Sequence, residues 1–326
     1  MTSILLICQN NLMQQCSGIE LDYLGTGINI TPGSNRGENC RPGLRQVWKI
    51  FRRVSSGHYD WLILPAVNFQ WPHDPTRVRR WFRRSLRAIK WHPFGGRSLA
   101  QWIIPRKTRV GIVDRFDSID PLKDYADAVG ASVYFKTNVL RSSCDEPAQN
   151  RWHLKWLPLW IREESYPKPD RDKEFDLFYA AGENSEARRN ATHRLDLLRA
   201  NGVRVFAPKE RLPQNQYIDC LGKALLTLSP EGHGYHCFRH YEAMMMQSVP
   251  VINQPRQPLV TDLVHEKNCL LYDDNKSGEL VRVILEALKN REHLANWGKN
   301  LRQYASDNCS MRGVGNYVLS VLSAQQ

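Results

Sequence analysis

The sequence of 326 residues lacks any hydrophobic run long enough to cross a membrane. Its first apolar run, residues 4–8, is followed at once by polar residues. That length is too short for the core of a signal peptide or for a membrane span. We therefore expect this run to form a buried β-strand. We also expect the protein to be cytoplasmic, either soluble or peripheral at the inner face of a membrane.

The eight cysteines lack the spacing of a metal site or of a redox motif. None forms a CxxC pair, and none lies near histidines at zinc-finger spacing. Reduced thiols, several of them buried, are therefore the simplest interpretation. We predict no structural zinc.

Acidic residues are scarce between residues 41 and 109, where two Asp accompany sixteen Lys and Arg. The net charge of the whole chain is +12, so this segment, at +14, carries more than the whole excess and the remainder is close to −2. A basic surface of this kind implies an acidic partner, such as a phospholipid, a nucleic acid or a phosphorylated substrate.

Short apolar runs alternate with helix-like stretches in the first half of the chain. This alternation is typical of a parallel sheet covered on both faces. The predicted strands are residues 3–8, 61–66, 109–113 and 131–135. The predicted helices are residues 44–54, 78–91 and 121–129.

The alternation stops at residues 152–176, which contain three prolines and many charges. We interpret this segment as an inter-domain connection that begins with a short strand at residues 156–161. The alternation then resumes. The predicted strands are residues 177–181, 203–207, 224–229, 249–253 and 269–272. The predicted helices are residues 187–201, stopped by Gly202, 215–222, 238–247 and stretches from residue 277 onward.

A glycine-containing loop, Glu231-Gly232-His233-Gly234, separates a predicted strand from a predicted helix. Glycine lets backbone N–H groups approach an anion, and a helix N-terminus adds partial positive charge. Arg239, in the first helical turn, can bind phosphate oxygens in a forked geometry. Glu242 lies on the same helix face and can accept ribose hydroxyls. The ordinary alternative is a solvated ion pair worth under about 1 kcal/mol.

This segment resembles the GT-B glycosyltransferases, especially the exostosin-like and "glycosyl transferases group 1" proteins. The pattern R-x-[FY]-[ED]-A stands here as Arg239-His240-Tyr241-Glu242-Ala243, ahead of the strand Pro250-Val251-Ile252. The resemblance covers roughly residues 175–305 and implies a nucleotide-sugar donor as substrate, with no cofactor. It assigns the donor diphosphate to Arg239 and the donor ribose to Glu242. The other donor-binding candidates are Gly182, Arg188, Glu231, Gly232, His233 and Gly234.

The resemblance also implies a domain organisation. We predict an α/β protein with two doubly wound, Rossmann-like domains that face each other across a cleft, with ligands at the carboxyl ends of the strands. The acceptor-side domain is residues 1–155 and the nucleotide-sugar domain is residues 156–305. Residues 306–326 form a C-terminal helix that returns to the first domain. The paired glutamates of retaining relatives are not matched, because Glu231 and Glu242 are eleven residues apart.

Two aspartates are the candidate catalytic bases. Asp114 and Asp117 follow the predicted strand at residues 109–113. A carboxylate at a strand's carboxyl end points into the cleft, where an inverting enzyme needs a base. Alternatively, Asp114 caps a helix or is salt-bridged beside Arg115.

No metal site is expected. The single Asp-x-Asp motif, residues 170–172, lies in the charged connection, where solvated surface charge is the simpler interpretation. GT-B enzymes commonly stabilise the leaving diphosphate with helix dipoles and basic side chains.

The predicted helix at residues 78–91 is strongly amphipathic. Its apolar stripe fits packing on a sheet, and its basic face fits an anionic membrane surface. Nucleic acid is a less favoured partner for the same face. The basic residues are Arg79, Arg80, Arg83, Arg84, Arg87 and Lys90.

The sequence thus favours a metal-independent glycosyltransferase that uses a nucleotide-sugar and a lipid-linked or cell-surface glycan acceptor, as in polysaccharide biosynthesis. Two alternatives remain open. One is a DNA-modifying glycosyltransferase, and the other is a non-catalytic binding protein with a GT-B-like fold.

Overall fold

The computed structural model describes residues 2–8, 12–25, 44–66, 104–145, 152–169 and 172–325. The chain divides into two compact units. The first comprises Met1–Lys136, Ser142–Leu157 and Leu322–Gln326, and the second comprises Thr137–Arg141 and Pro158–Val321. The predicted basic helix at residues 78–91, with Arg79, Arg80, Arg83, Arg84, Arg87 and Lys90, lies outside the described residues.

The first unit is built on a six-stranded sheet in the order β2-β1-β3-β4-β5-β6. All neighbouring strands are parallel. The strands are β1 Thr2–Cys8, β2 Ile19–Gly25, β3 Trp61–Pro65, β4 Arg109–Asp114, β5 Val133–Lys136 and β6 His153–Trp156. The helices in this part of the chain are α1 Leu44–Ser55, α2 Lys123–Val129 and α3 Arg141–Asp145.

Both faces of this sheet are buried. On one face, Leu62 of β3 and Val110 of β4 are aligned in register and lie under α1 and α2. On the other face, Gly111 leaves room for its neighbours, since a Cβ there would lie 2.7 Å from Cδ1 of Ile63. Leu322, which is 1% exposed, packs near the same glycine. The last residues of the chain therefore help to close the core of the first unit.

The second unit contains a five-stranded sheet in the order β11-β10-β9-β7-β8, again parallel throughout. The strands are β7 Phe175–Phe178, β8 Val205–Phe206, β9 Ala224–Leu228, β10 Val249–Asn253 and β11 Leu270–Tyr272. The α-helices are α4 Glu186–Ala200, α5 Gln214–Lys223, α6 Phe238–Met245, α7 Glu279–Leu288, α8 Arg291–Asn308 and α9 Met311–Ser323. A short 3-10 helix spans Glu163–Ser165.

Local signals explain where these helices begin and end. The Ser185 hydroxyl accepts a hydrogen bond from the Arg188 backbone N–H and so caps the start of α4. Gly202, with φ of +79°, follows the end of the same helix, as its predicted role as a stop requires. In α6, Met244 and Met245 are fully buried. They pack in the core, as the apolar side of a helix behind a sheet does.

The sequence-based assignment of strands is wrong at two places. Strand β2 was not predicted, because Glu20 and Asp22 interrupt its apolar pattern. The strand predicted at residues 156–161 is instead β6, His153–Trp156. The residues after β6 are buried, but only Ile161 makes a bridge, to Ser310. Both misassigned strands lie at the edges of the first sheet, where the apolar pattern of a strand is weakest.

Several chemical expectations can be examined in the described part of the chain. Six described cysteines are free thiols, and two of these, Cys269 and Cys309, are buried. Of the Asp-x-Asp motif, Asp172 is exposed, while Asp170 and Arg171 lie outside the described residues. None of the described helices has the length and apolar character needed to span a membrane. Among the described residues, no group of three or more His, Cys, Asp or Glu is arranged to hold a metal ion.

Candidate functional site

The loop after β9 leads directly into α6, and the N-terminus of this helix has no side-chain cap. Its N-cap residue, Cys237, has extended backbone angles and a thiol instead of a hydroxyl or carboxylate. The first N–H groups of a helix have no partners within the helix. Together with the helix dipole, they favour an anion at this position.

Arg239, in the first turn of α6, carries two buried nitrogen atoms, Nε and Nη1, that have no hydrogen-bond partner among the described residues. A guanidinium is charged at all ordinary pH values and is purely a donor. Leaving such donors buried and unpaired is costly. The Glu242 carboxylate accepts hydrogen bonds from Tyr166 and Tyr217.

Arg188 of α4 lies over the same loop. Its Nη1 donates to Oδ1 of Asn184 at 2.7 Å, and its Nη2 is 3.8 Å from Sγ of Cys237. A Cβ on Gly232 would lie 2.6 Å from Nη2. The absence of a side chain at Gly232 therefore makes room for the guanidinium.

Arg188 and Arg239 both influence the pKa of Cys237. Burial raises the pKa of the Cys237 thiol, and the charges of Arg188 and Arg239 oppose that rise. Two guanidinium groups thus converge on the uncapped start of α6. Two cations beside the N-terminus of a helix are suited to a diphosphate.

Glu242 is held by two tyrosines. The Tyr166 hydroxyl donates to Oε1 at 2.9 Å, and the Tyr217 hydroxyl donates to Oε2 at 2.8 Å. Burial, followed by the negative charge of Glu242, raises the pKa of both phenols well above the usual value. The carboxylate is therefore fixed in one orientation, with a free acceptor position left on each oxygen.

Glu231 belongs to a charged group at the carboxyl ends of β10 and β11. The Arg256 guanidinium lies 2.8 Å from Glu186, 3.5 Å from Glu231 and 3.8 Å from Asp274. Burial raises the pKa of Glu231, while Arg256 acts in the opposite direction. Its backbone N–H donates to Oδ1 of Asn253 at 2.8 Å, so the last residue of β10 fixes the start of the loop.

A buried histidine of α6 ties the two ends of the loop together. One ring nitrogen of His240, Nδ1, lies 2.8 Å from Oγ of Ser229, and the other, Nε2, lies 3.0 Å from the carbonyl oxygen of Tyr235. Burial lowers the pKa of His240 to about 3, so the ring is neutral. The carbonyl requires a proton on Nε2, which leaves Nδ1 to accept from the serine.

The remaining predicted donor residues are less closely held. Gly182 and His233 are exposed, and Gly234 accepts a hydrogen bond from the Gly232 N–H at 3.1 Å. His236, in the same loop, is 4% exposed. Its ring lies 3.2 Å from both the Tyr241 hydroxyl and the Val260 carbonyl.

The two candidate bases belong to the first unit and differ sharply in environment. Asp114 is fully buried. It accepts from Lys136 Nζ at 3.0 Å, from the Tyr134 hydroxyl at 2.5 Å and from the Phe116 N–H at 2.8 Å. This is the salt-bridged alternative, with Lys136 as a partner. Asp117 is exposed.

Five residues of this site were not found from the sequence: Tyr166, Tyr217, Asn253, Arg256 and Asp274. Asn253 carried a usable signal, since it is a polar residue at the end of a buried strand. The two tyrosines carried none, because they reach Glu242 from 76 and 25 residues away in the chain.

Comparisons with known proteins give one family match and several similar folds. Residues 203–282 match the model of the RXYLT1 C-terminal domain. The fold is similar to that of sucrose-phosphate synthase from Thermosynechococcus elongatus, with a TM-score of 0.54 and 10% identity over 100% of this chain and 99% of that chain. A glycosyltransferase from Rickettsia africae gives a TM-score of 0.55 and 8% identity over 99% and 98% of the two chains.

A third solved structure, TarM, gives a TM-score of 0.50 and 11% identity over 85% of this chain and 57% of that chain. No curated protein matches the sequence. The predicted resemblance is confirmed by these findings: the protein has the fold of the GT-B glycosyltransferases, with two Rossmann-like domains, and its residues 203–282 match the RXYLT1 C-terminal domain.

Proposed function

We propose that the protein is an active glycosyltransferase that binds a nucleotide-sugar at the carboxyl ends of β9, β10 and β11. The acceptor we propose is a lipid-linked or cell-surface glycan. One observation carries the proposal: the two unpartnered buried nitrogens of Arg239 at the uncapped start of α6. A bound anion satisfies both features together.

The donor diphosphate is assigned to Arg239, Arg188 and the first N–H groups of α6. As the glycosidic bond breaks, negative charge grows on the departing diphosphate. Donors that are already in place stabilise this charge without reorganisation. Because these groups supply the positive charge, we propose a metal-independent reaction.

The donor ribose is assigned to Glu242. Its two oxygens each receive one tyrosine hydroxyl, which leaves each oxygen one position for a ribose hydroxyl. Since the tyrosines already fix the carboxylate, little side-chain entropy is lost when the ribose binds.

For the base, we favour Asp117 over Asp114. A general base must approach the proton that it removes. The Asp114 carboxylate is buried among three donors, whereas Asp117 is exposed. We expect Asp117→Asn to lower the transfer rate by at least about a hundredfold while the donor dissociation constant stays unchanged. Equal rates in the variant and the wild type would exclude Asp117.

The donor assignment is tested by isothermal titration calorimetry with UDP and with GDP. We expect Arg239→Ala to weaken binding at least about tenfold, because a charge-assisted hydrogen bond contributes about 1.5–3 kcal/mol. Arg189→Ala is the matched control, since that exposed arginine lies beside Arg188 on α4. Unchanged affinity in Arg239→Ala, or an equal loss in Arg189→Ala, would refute the assignment.

Two further measurements separate the alternatives. A wild-type protein that binds nucleotide-sugars yet never hydrolyses or transfers them would be a non-catalytic GT-B-like protein. Flotation with anionic liposomes, compared with a DNA gel shift on the same preparation, tests the acceptor. Flotation without a gel shift supports a membrane-bound glycan acceptor. A gel shift without flotation supports a DNA-modifying enzyme.

A further inference from the structure

The second unit contains a pocket at the amino end of its edge strand, β11. The pocket has a volume of about 440 Å³, within the range of about 300–1,000 Å³ typical of small-molecule sites. It is lined by the turn before β11, the first residue of β11 and the facing sides of α7 and α8. The proposed donor site follows the last residues of the strands, so the two sites are distinct.

One wall of the pocket is the indole of Trp297. Its Nε1 donates to the Lys267 carbonyl at 3.1 Å, and its ring lies 6.2 Å from that of His293. The hydrogen bond satisfies the polar edge of the indole and fixes the ring. A fixed aromatic face is therefore available before any ligand arrives.

The floor of the pocket is apolar, and its rim is polar. Leu270, Val283 and Leu294 are almost fully buried and form the floor. The rim offers hydrogen-bond donors and acceptors side by side. It consists of His265, Glu266, Arg282, Glu286, Asn290 and His293.

The rim carries one arginine and two glutamates, a formal excess of one negative charge. Arg282 lies 3.5 Å from Glu279, and Glu286 lies 2.6 Å from Lys289. The other glutamate, Glu266, lies 3.7 Å from His265. This differs from the two arginines at α6, and it disfavours phosphate or another strongly charged ligand.

We propose that this pocket is a carbohydrate-binding site that holds a pyranose unit of a neutral oligosaccharide. The C–H groups on one face of a pyranose are slightly positive, and the face of an indole is negative. The hydroxyls of the sugar then meet the donors and acceptors of the rim. The inference does not rest on the proposed transferase activity.

The test uses the full-length protein and three neutral probes: cellotetraose, maltotetraose and chitotetraose. Binding is measured by saturation-transfer difference NMR and titration, each with saturating UDP and without it. We expect at least one probe to bind, and to bind equally well in the presence of UDP. Trp297→Ala should weaken that binding at least about tenfold, as the loss of an aromatic anchor commonly does.

A matched control is Trp48→Ala, which removes an exposed tryptophan of the first unit. Because Trp297→Ala also removes an internal hydrogen bond, a second variant, Arg282→Ala/Glu286→Ala, changes only exposed rim side chains and leaves the net charge unchanged. We expect this variant to weaken binding while its unfolding midpoint stays at the wild-type value.

Three results would overturn the inference. The first is no binding by any of the three probes at 10 mM, a concentration of about ten times a weak Kd of 1 mM. The second is binding that UDP displaces, and the third is binding that Trp48→Ala abolishes and Trp297→Ala retains.

Discussion

Each unit holds buried charged atoms on a residue that follows a strand, and the two units treat them in opposite ways. In the first unit, Asp114 receives three hydrogen bonds, one of them from the buried Lys136. In the second, two buried nitrogens of Arg239 have no acceptor among the described residues. A charge that follows a strand is therefore weak evidence for a site, whereas a buried charge without a partner is strong evidence.

The largest expected effect comes from breaking the paired charge. Lys136→Met leaves the Asp114 carboxylate buried without its cation, so we expect the free energy of unfolding to fall by about 3–5 kcal/mol. Urea denaturation measures the change. The double variant Asp114→Asn/Lys136→Met removes both charges and should recover most of the loss. A loss under about 1 kcal/mol in the single variant would mean that the pair is not desolvated.

His240 differs from both the paired charge of Asp114 and the unpaired charge of Arg239, because it is a buried titratable group that stays neutral. Burial lowers its pKa from 6.5 to about 3. As the pH falls through 6.5, the unfolded chain binds a proton that the folded chain does not. Stability contributed by the neutral ring is therefore lost progressively below this pH, by up to about 1.4 kcal/mol per pH unit.

The variant His240→Gln isolates this contribution. The amide can donate to the Tyr235 carbonyl and accept from Ser229, but it does not titrate. Between pH 7 and pH 5 we expect the wild type to lose about 2 kcal/mol more than the variant in urea denaturation. Parallel pH profiles of the two proteins would contradict a buried neutral histidine.

Removing the unpaired charge of Arg239 should raise the free energy of unfolding, whereas removing Lys136 should lower it. Without nucleotide, Arg239→Met removes buried donors that lack partners, so we expect the free energy of unfolding to rise by about 1 kcal/mol. UDP at a hundred times the wild-type Kd should add about 2.7 kcal/mol to the wild type and at most about 1.4 kcal/mol to the variant, whose Kd is at least about tenfold higher. A large loss of stability in the variant would show that Arg239 is a structural residue like Lys136.

The smallest effect on stability is expected from Gly232→Ala. The new methyl group would lie 2.6 Å from Nη2 of Arg188, and a flexible side chain can move away at a cost under about 0.5 kcal/mol. The displaced guanidinium should nevertheless weaken UDP binding several-fold in calorimetry. Arg189→Ala is again the control, because that exposed arginine lies beside Arg188 on α4. Equal UDP affinities for the two variants would show that Arg188 does not contribute to UDP binding.

Most of the fold could be predicted because buried parallel strands are nearly continuous apolar runs. Strand β10, Val249–Asn253, was predicted at its exact limits, and most other strands within a few residues. Prediction failed at β2 and β6, which form the two edges of the first sheet. An edge strand is half exposed, so charged residues such as Asp22 and Lys155 are tolerated there and hide the pattern.

The candidate site was predictable only where it is local in sequence. Arg239, Glu242 and the glycine loop lie within a dozen residues, so helix geometry alone brings them together. The partners of Glu242 are decided by packing over long distances in the chain, and no periodic pattern encodes this. Likewise, Asp114 was found by its position after a strand, but only the fold shows that Lys136 occupies its carboxylate.

The packing of Leu322 near Gly111 links the order of synthesis to the order of folding. Domains made first generally fold first as the chain emerges. Here the sheet of the first unit receives one of its apolar contacts from Leu322, which is made long after Gly111. The core of the first unit is thus completed only after most of the second unit has been made, and until then part of the apolar face of β4 lacks this cover.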